Sequence, residues 1–356
     1  MKKNWFDSKV KEFSLIGGYQ KPPLNENSVK LDSNENYVLS KQFQNDIVSE
    51  ARKNSDVREY PLGGVERLIQ MISKFVKVPT SMIGIGNGSD QILDLILSNF
   101  ASKQTKVLTS NPTFSFFEER CKLYSIPLIA IPFSDDMKLD VNKFLKESKN
   151  ADILYLDSPN NPTGFQFSKI ELQKLIKSFD GLIIIDEAYG EFSDYSLSSL
   201  VKTQSNLIVV RTLSKSFGMA GIRLGYFVAN KKFTDTFLNV LQYPYPLSTI
   251  TIESGILALE KVNLMDNATK IIKIERQRII ETLQKFDTFE VFDSKANFVL
   301  FDAHSSYKRV YSALAEQGIS IRKLGKIGNH EGCLRVTIGT KEMNSKFLLA
   351  IRDLLQ

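Results

Sequence analysis

Cysteine, histidine and tryptophan are scarce in this 356-residue chain, at two, two and one residue respectively. Cys121 and Cys333 are too few and too far apart for a disulfide framework, which points to a reducing compartment, the cytoplasm. His304 and His330 are the only histidines, which argues against a histidine-based metal site and against a Ser-His-Asp triad, so no metal is expected. Long apolar runs are absent too. None approaches the roughly 20 residues of a membrane helix, and Met1-Lys-Lys-Asn-Trp-Phe-Asp7 lacks the apolar core of a signal peptide. Neither a membrane nor an export route is therefore expected. Basic blocks, zinc-finger spacings and RNA-binding motifs are missing, so the net charge of +6 comes from scattered lysines. That balance gives no support to a nucleic-acid partner and suits a phosphorylated cofactor with anionic substrates. Internal repeats, low-complexity tracts and flexible linkers are absent as well.

What is present is an ordinary globular composition, 42% apolar and 24% charged, in a chain long enough for one large core and a smaller domain. Residues 1–30 are polar and turn-rich and read as an arm with a short N-terminal helix, packed on the body or on a partner subunit. Apolar spacing predicts helices over 42–53 and 65–76. Ile83-Gly-Ile-Gly-Asn-Gly-Ser-Asp90 precedes another helix, with Ser89 or Asp90 as its N-cap. Its glycines follow G-x-G-x-G, not the G-x-G-x-x-G of a dinucleotide site, and no ribose-binding acid follows. A glycine loop feeding a helix N-terminus still suits a phosphate. From residue 106 to 229 short apolar strands alternate with helices. That pattern predicts an α/β fold with a mainly parallel sheet covered by helices on both faces, binding its ligand at the carboxyl ends of the strands. Long helices follow Thr249, and strand and helix signals from 289 onward predict a small C-terminal α/β domain. The expected division is an arm at 1–30, a large domain at 31–260 and a small domain at 261–356 that begins with linking helices.

The chemistry concentrates in one stretch. An apolar strand at 206–210 runs into Thr212, Ser214, Lys215 and Ser216, with Arg223 shortly after. A lysine at the mouth of a buried strand fits a Schiff base, with the hydroxyls and Arg223 gripping a phosphate. The alternative is a polar loop with a solvated lysine. Ile183-Ile-Ile-Asp-Glu-Ala-Tyr189 is a second strand ending in an acid, with a phenol three residues on. Asp157-Ser-Pro-Asn-Asn-Pro-Thr-Gly164 is a strand end followed by a tight polar turn.

N-P-T-G at 161–164, D-E-A-Y at 186–189 and S-K-x-x-x-x-x-G-x-R at 214–223 occur in that order. In these the sequence resembles the fold-type I pyridoxal phosphate (PLP) aminotransferases, and among them the histidinol-phosphate aminotransferases most, from about residue 30 to the end. The resemblance implies that Lys215 carries PLP as a Schiff base and afterwards moves the substrate's Cα proton. It places Asp186 at the pyridine nitrogen, where a carboxylate favours the protonated ring. Glu187 is the adjacent alternative, and strand alternation lets only one of the two face the cofactor. Tyr189 and Asn161 would hydrogen-bond the ring hydroxyl. Phe114 would stack on the ring, or else be a core phenylalanine. Thr212, Ser214 and Arg223, with backbone groups of Ser89 and Asp90, would hold the phosphate. Arg335 would receive the α-carboxylate of the amino donor. Arg322 would be a second anion contact, or else a surface strand residue. Tyr19 and Asn34 are further substrate-side candidates. The resemblance also implies a homodimer in which Tyr60 reaches the PLP phosphate of the neighbouring subunit, the alternative being a turn tyrosine packed on its own chain.

The implied reaction is transamination between glutamate/2-oxoglutarate and histidinol phosphate/imidazole-acetol phosphate in histidine biosynthesis. The alternatives are an aminotransferase or decarboxylase of another phosphorylated amino compound, an aromatic aminotransferase, and a non-catalytic PLP-binding module. One departure stands out: Asn34-Glu-Asn36 is followed by Tyr37 where the family usually has proline. It leaves the cofactor residues untouched and bears on the substrate-side loop.

Overall fold

The computed structural model describes residues 2–18 and 28–355, so Tyr19 lies outside the described residues. The strands, in chain order, are β1 (Val29–Leu31), β2 (Ile83–Asn87), β3 (Val107–Asn111), β4 (Leu128–Pro132), β5 (Ile153–Asp157) and β6 (Leu182–Asp186). They continue with β7 (Leu207–Thr212), β8 (Leu224–Val228), β9 (Glu290–Val291), β10 (Phe298–Asp302), β11 (Ile319–Ile327) and β12 (His330–Thr337).

Seven of them form a sheet of order β2-β8-β7-β6-β5-β3-β4, in which β8 alone runs antiparallel to its neighbours. The sequence explains why this sheet is buried on both faces. Strands such as Leu182–Asp186 and Leu207–Thr212 are apolar at nearly every position, and alternate side chains enter opposite cores. Ile183, Ile185, Val209 and Leu154 pack into one core, while Ile184, Val210, Ile153 and Tyr155 pack into the other. Each fully buried isoleucine or valine contributes on the order of 1.5–3 kcal/mol to holding the layers together. Helices close both faces, among them Gly88–Phe100, Ser115–Leu123 and Lys169–Lys177. The last starts with a capping box in which Ser168 and Glu171 satisfy each other's backbone N–H groups.

The second sheet has the order β1-β11-β12-β10-β9, with its own core around Phe298, Phe301, Val336 and Phe347. The helices Val262–Leu283 and Lys341–Leu355 pack together and supply apolar residues to that core. The strand β1 was not legible in the sequence. It is three residues long and pairs in parallel with Ile319–Ile321, nearly the whole chain away. The segment after it, Asp32 to Asn36, is thereby held beside the edge of the first sheet.

Two local expectations change. The helix expected to be capped by Ser89 or Asp90 begins at Gly88, so both lie within its first turn. Gly88 takes φ 74°, which glycine adopts without a steric penalty, and this brings the helix start forward. The N-terminal helix is longer than a short arm element, at Lys2–Ile16, and leaves Trp5, Phe6, Phe13 and Leu15 exposed. Among the described residues no helix is long and apolar enough to cross a membrane.

Candidate active site

The carboxyl ends of β3, β5, β6 and β7 lie on one edge of the seven-stranded sheet, together with the amino end of β8, which runs the other way. Each strand therefore delivers its trailing polar residues to the same place. A cavity of about 210 Å³ opens there, lined by Asn34, Ser89, Asp90, Phe114, Asn161, Asp186, Tyr189, Thr212, Ser214, Lys215, Arg223, Arg322 and Arg335. These thirteen were singled out in the sequence. Asp32, Ser33, Phe116, Asp157, Ala188 and Ala220 line it too and were not. Tyr60 lies outside this lining: it is 72% exposed and stacks on Tyr245 with ring centroids 4.5 Å apart.

Asp186, the last residue of β6, is buried, and burial together with the neighbouring Asp157 charge pushes its carboxyl up to about 7. It accepts hydrogen bonds from the Ala188 N–H at 2.9 Å and the Tyr155 hydroxyl at 3.3 Å. Glu187 points the other way. Its carboxylate accepts from the Ser196 hydroxyl and the Leu197 N–H, both at 2.6 Å, and faces Arg211. Of the two acids, Asp186 is the one at the cavity.

Asp157 occupies the position on β5 in register with Asp186. Burial pushes its carboxyl up to about 6. It accepts from the Thr113 hydroxyl and the Asn160 amide, both at 2.9 Å, and from the Asn161 N–H at 2.7 Å. Asp157 thus fixes the turn that carries Asn161. The Asn161 side-chain Oδ1 in turn accepts from the Arg335 guanidinium. A signal was present in the sequence, since Asp157 heads the N-P-T-G turn and closes a strand as Asp186 does.

Lys215 follows β7 by three residues. Its ammonium donates to the Ser33 carbonyl at 3.1 Å and sits 5.8 Å from the Tyr189 ring centroid. The Tyr189 hydroxyl accepts from the Asn34 amide at 2.8 Å, and burial pushes that phenol up to about 12. Asn34 is itself fixed by Thr337, whose hydroxyl accepts from the Asn34 N–H at 3.0 Å.

The helix Gly88–Phe100 points its N-terminus at the same cavity, and its N-cap Asn87 makes no side-chain capping bond. Beside it, the Thr212 and Ser214 hydroxyls lie 2.9 Å apart and Arg223 pairs with Asp90 at 3.1 Å. Gly225 permits this approach, because a Cβ there would sit 2.3 Å from the Ser89 nitrogen. First-turn amides, two hydroxyls and a guanidinium together make an anion-binding cradle.

Arg335 donates to the Asp32 carbonyl at 3.1 Å and lies 5.0 Å from the Phe298 ring centroid. Its antiparallel partner in the β11/β12 register is Arg322. Directly paired residues project from the same face of a sheet, and here both line the cavity.

The chain's similarities agree with this geometry. The family model for aminotransferase class I and II matches residues 26–351. A histidinol-phosphate aminotransferase of Thermoanaerobacter pseudethanolicus is 33% identical over 329 residues, spanning 92% of this chain and 93% of that one. Among solved structures, the histidinol-phosphate aminotransferase of Clostridium acetobutylicum superposes with a TM-score of 0.83 at 27% identity, covering 91% of this chain and 98% of that one. The Sinorhizobium meliloti histidinol-phosphate aminotransferase in complex with pyridoxal-5'-phosphate shares the fold, with a TM-score of 0.83 at 23% identity and 92% and 90% coverage.

Proposed function

Because the chain belongs to the class I and II aminotransferases, a PLP-using family, we propose that it exchanges an amino group between glutamate/2-oxoglutarate and histidinol phosphate/imidazole-acetol phosphate, a step of histidine biosynthesis. The observation that carries the substrate reading is the paired arginines. Like charges directly opposite on neighbouring strands repel, and an anion held between them offsets the cost. Arg335, supported by Arg322, accepts either the carboxylate of the amino donor or the phosphate of its partner substrate.

The cavity fits PLP. The helix start, Ser214, Thr212 and Arg223 suit its phosphate, and Gly88 and Gly225 keep that cradle open where any Cβ would crowd it. Asp186 lines the same cavity, and a buried carboxylate that is costly to ionise alone would be matched by a protonated ring nitrogen. Asn161 and Tyr189 would hold the ring hydroxyl, and Phe114 would cover the ring face. When bound, the cofactor supplies an electron sink for the charge left at the substrate's Cα. Lys215 would anchor the cofactor covalently, and its Nζ would be the group placed to take and return the substrate's Cα proton. The Ser33 carbonyl and the Tyr189 ring keep that ammonium at the cavity.

The enzyme works as a homodimer in which Tyr60 serves the neighbouring subunit's phosphate cradle. Its exposure, and its place outside its own chain's cavity beside exposed Leu62 and Tyr245, support that reading. A half-reaction screen tests the proposal: holoenzyme is mixed with histidinol phosphate, glutamate or aromatic amino acids while the cofactor absorption is followed. Histidinol phosphate and glutamate should each convert the cofactor without carbon dioxide release. A response to aromatic amino acids alone, or release of carbon dioxide, would overturn it.

A further inference from the structure

The chain's two histidines lie outside the cavity, yet the fold brings both to one carboxylate. Asp302 ends β10 and is 1% exposed. Its Oδ1 accepts the backbone N–H groups of His304 at 2.7 Å and Gly332 at 2.9 Å. Its Oδ2 lies 3.2 Å from His304 Nδ1 and 3.2 Å from His330 Nδ1. Glu290, the register partner of Asp302 on β9, places Oε2 3.3 Å from the same His330 nitrogen. The ligand atoms of Glu290, Asp302 and His330 all lie within 4.8 Å of one another.

The protonation pattern of His330 follows from its other nitrogen. Nε2 lies 2.7 Å from the backbone carbonyl of Asp135, which can only accept, so Nε2 carries a hydrogen. In the neutral ring Nδ1 then aims a lone pair at two carboxylates. His330 and Asp302 are buried, so water screens that pair poorly, while the Glu290 side chain is half-exposed. The three groups face one point that a single positive centre can occupy. A proton on Nδ1 serves the carboxylates only along one N–H direction. A divalent ion accepts all three donors at once and neutralises both acids.

The surroundings are those of a metal ligand set. A metal-binding histidine usually donates its remote N–H to a carbonyl, and a ligating carboxylate is usually held by hydrogen bonds on its other oxygen. His330 has the first through Asp135, and Asp302 has the second through His304 and Gly332. We infer that Glu290, Asp302 and His330 bind one divalent transition-metal ion of the zinc class, with His304 positioned to orient Asp302 or to complete the shell. One nitrogen and two oxygen donors suit zinc, cobalt(II) or nickel(II) better than magnesium, which prefers oxygen alone. The ion ties β9, β10 and β12 together and, through Asp135, fastens the second sheet to the loop that follows β4. Nothing in the spacing of 290, 302, 304 and 330 marks this in the sequence, since the convergence arises from strand pairing.

Metal titration of the PLP-loaded enzyme, after chelator treatment and dialysis, tests the inference. Cobalt(II) should bind at one equivalent per chain with visible d–d absorption. Zinc near a hundredfold over its dissociation constant should raise Tm by about 3–5 °C. Glu290→Gln, at a half-exposed edge position, should retain transaminase activity while weakening cobalt and zinc binding about tenfold or more. His330→Gln should lose the d–d bands. Absence of saturable uptake, or equal uptake by wild type and Glu290→Gln, would overturn the assignment and place any bound ion on the cofactor or the cavity acids.

Discussion

The two walls of the cavity are built differently. The cofactor wall comes from neighbouring strands of one sheet: Asn161 follows β5, Asp186 ends β6, Thr212 ends β7, Lys215 follows it and Arg223 precedes β8. Strand register sets these positions, and each follows or borders a buried apolar run. The substrate wall is assembled from remote pieces, with Asp32, Ser33 and Asn34 after β1, Arg322 on β11 and Arg335 on β12. It is held by long-range bonds such as Asn34 to Thr337 and Arg335 to the Asp32 carbonyl. Under the proposed function, the wall set by one sheet would provide chemistry common to every substrate, and the wall set by closing distant segments would decide which substrate enters. Contacts between the walls include Asn34 with Tyr189, Arg335 with Asn161 and Lys215 with the Ser33 carbonyl.

Mutations can break this contrast or sharpen it. Lys215→Ala should have the largest effect, with turnover reduced to a trace for all amines while the far-ultraviolet circular dichroism and Tm persist, because the residue lies at a strand end and adds little packing. Retained transamination would remove Lys215 from its role. Tyr60→Ala should loosen PLP by about 1.5–3 kcal/mol, the worth of one hydrogen bond to a charged acceptor, read as the cofactor dissociation constant. Mixing that variant with Lys215→Ala, by dissociation and reassociation at limiting PLP, should restore activity towards a quarter of wild type if Tyr60 acts across the dimer. No recovery above the parents' average would place it in its own chain's site. Asn34→Ala severs one contact between the walls and leaves the Tyr189 hydroxyl without its donor. A loss of about 1–3 kcal/mol in stability, together with raised KM, is expected from thermal melts and steady-state kinetics.

The smallest effect concerns pH in the cofactor-free protein. Burial raises the carboxyls of Asp157 and Asp186 to about 6 and about 7 in the folded state. The folded chain therefore holds protons that the unfolded chain releases above its lower carboxylate range. The stability these protons contribute is present below that range and is lost as pH rises to about 7. Asp186→Asn should accordingly gain Tm relative to wild type at about pH 8, and the gap should shrink at about pH 5. A gap independent of pH would show that Asp186 does not carry the strain.

Much of the cofactor wall was legible because its residues lie next to strand signals. Alternation along Leu182–Asp186 required that only one of Asp186 and Glu187 face the ligand, and the structure turns Glu187 to Ser196, Leu197 and Arg211. Asp157 heads its motif without standing out as a site residue, because it acts through Thr113, Asn160 and the Asn161 backbone. On the substrate wall, residue types were readable but their juxtaposition was not. The β11/β12 register that sets Arg322 opposite Arg335 shifts irregularly between Lys323 and Ile327, and no local pattern announces such shifts. The pairing of β1 with β11 was invisible for a similar reason, since three residues carry too little periodicity.

The most direct test of the two-wall account compares kcat/KM for histidinol phosphate and for histidinol in wild type and Arg322→Ala, alongside the PLP dissociation constant. Wild type should prefer the phosphorylated amine. The variant should lose about 1.5–3 kcal/mol, roughly 10- to 150-fold, on that substrate, with little change on histidinol and none in PLP binding. Equal use of both amines by wild type, or a parallel loss of PLP in the variant, would contradict it.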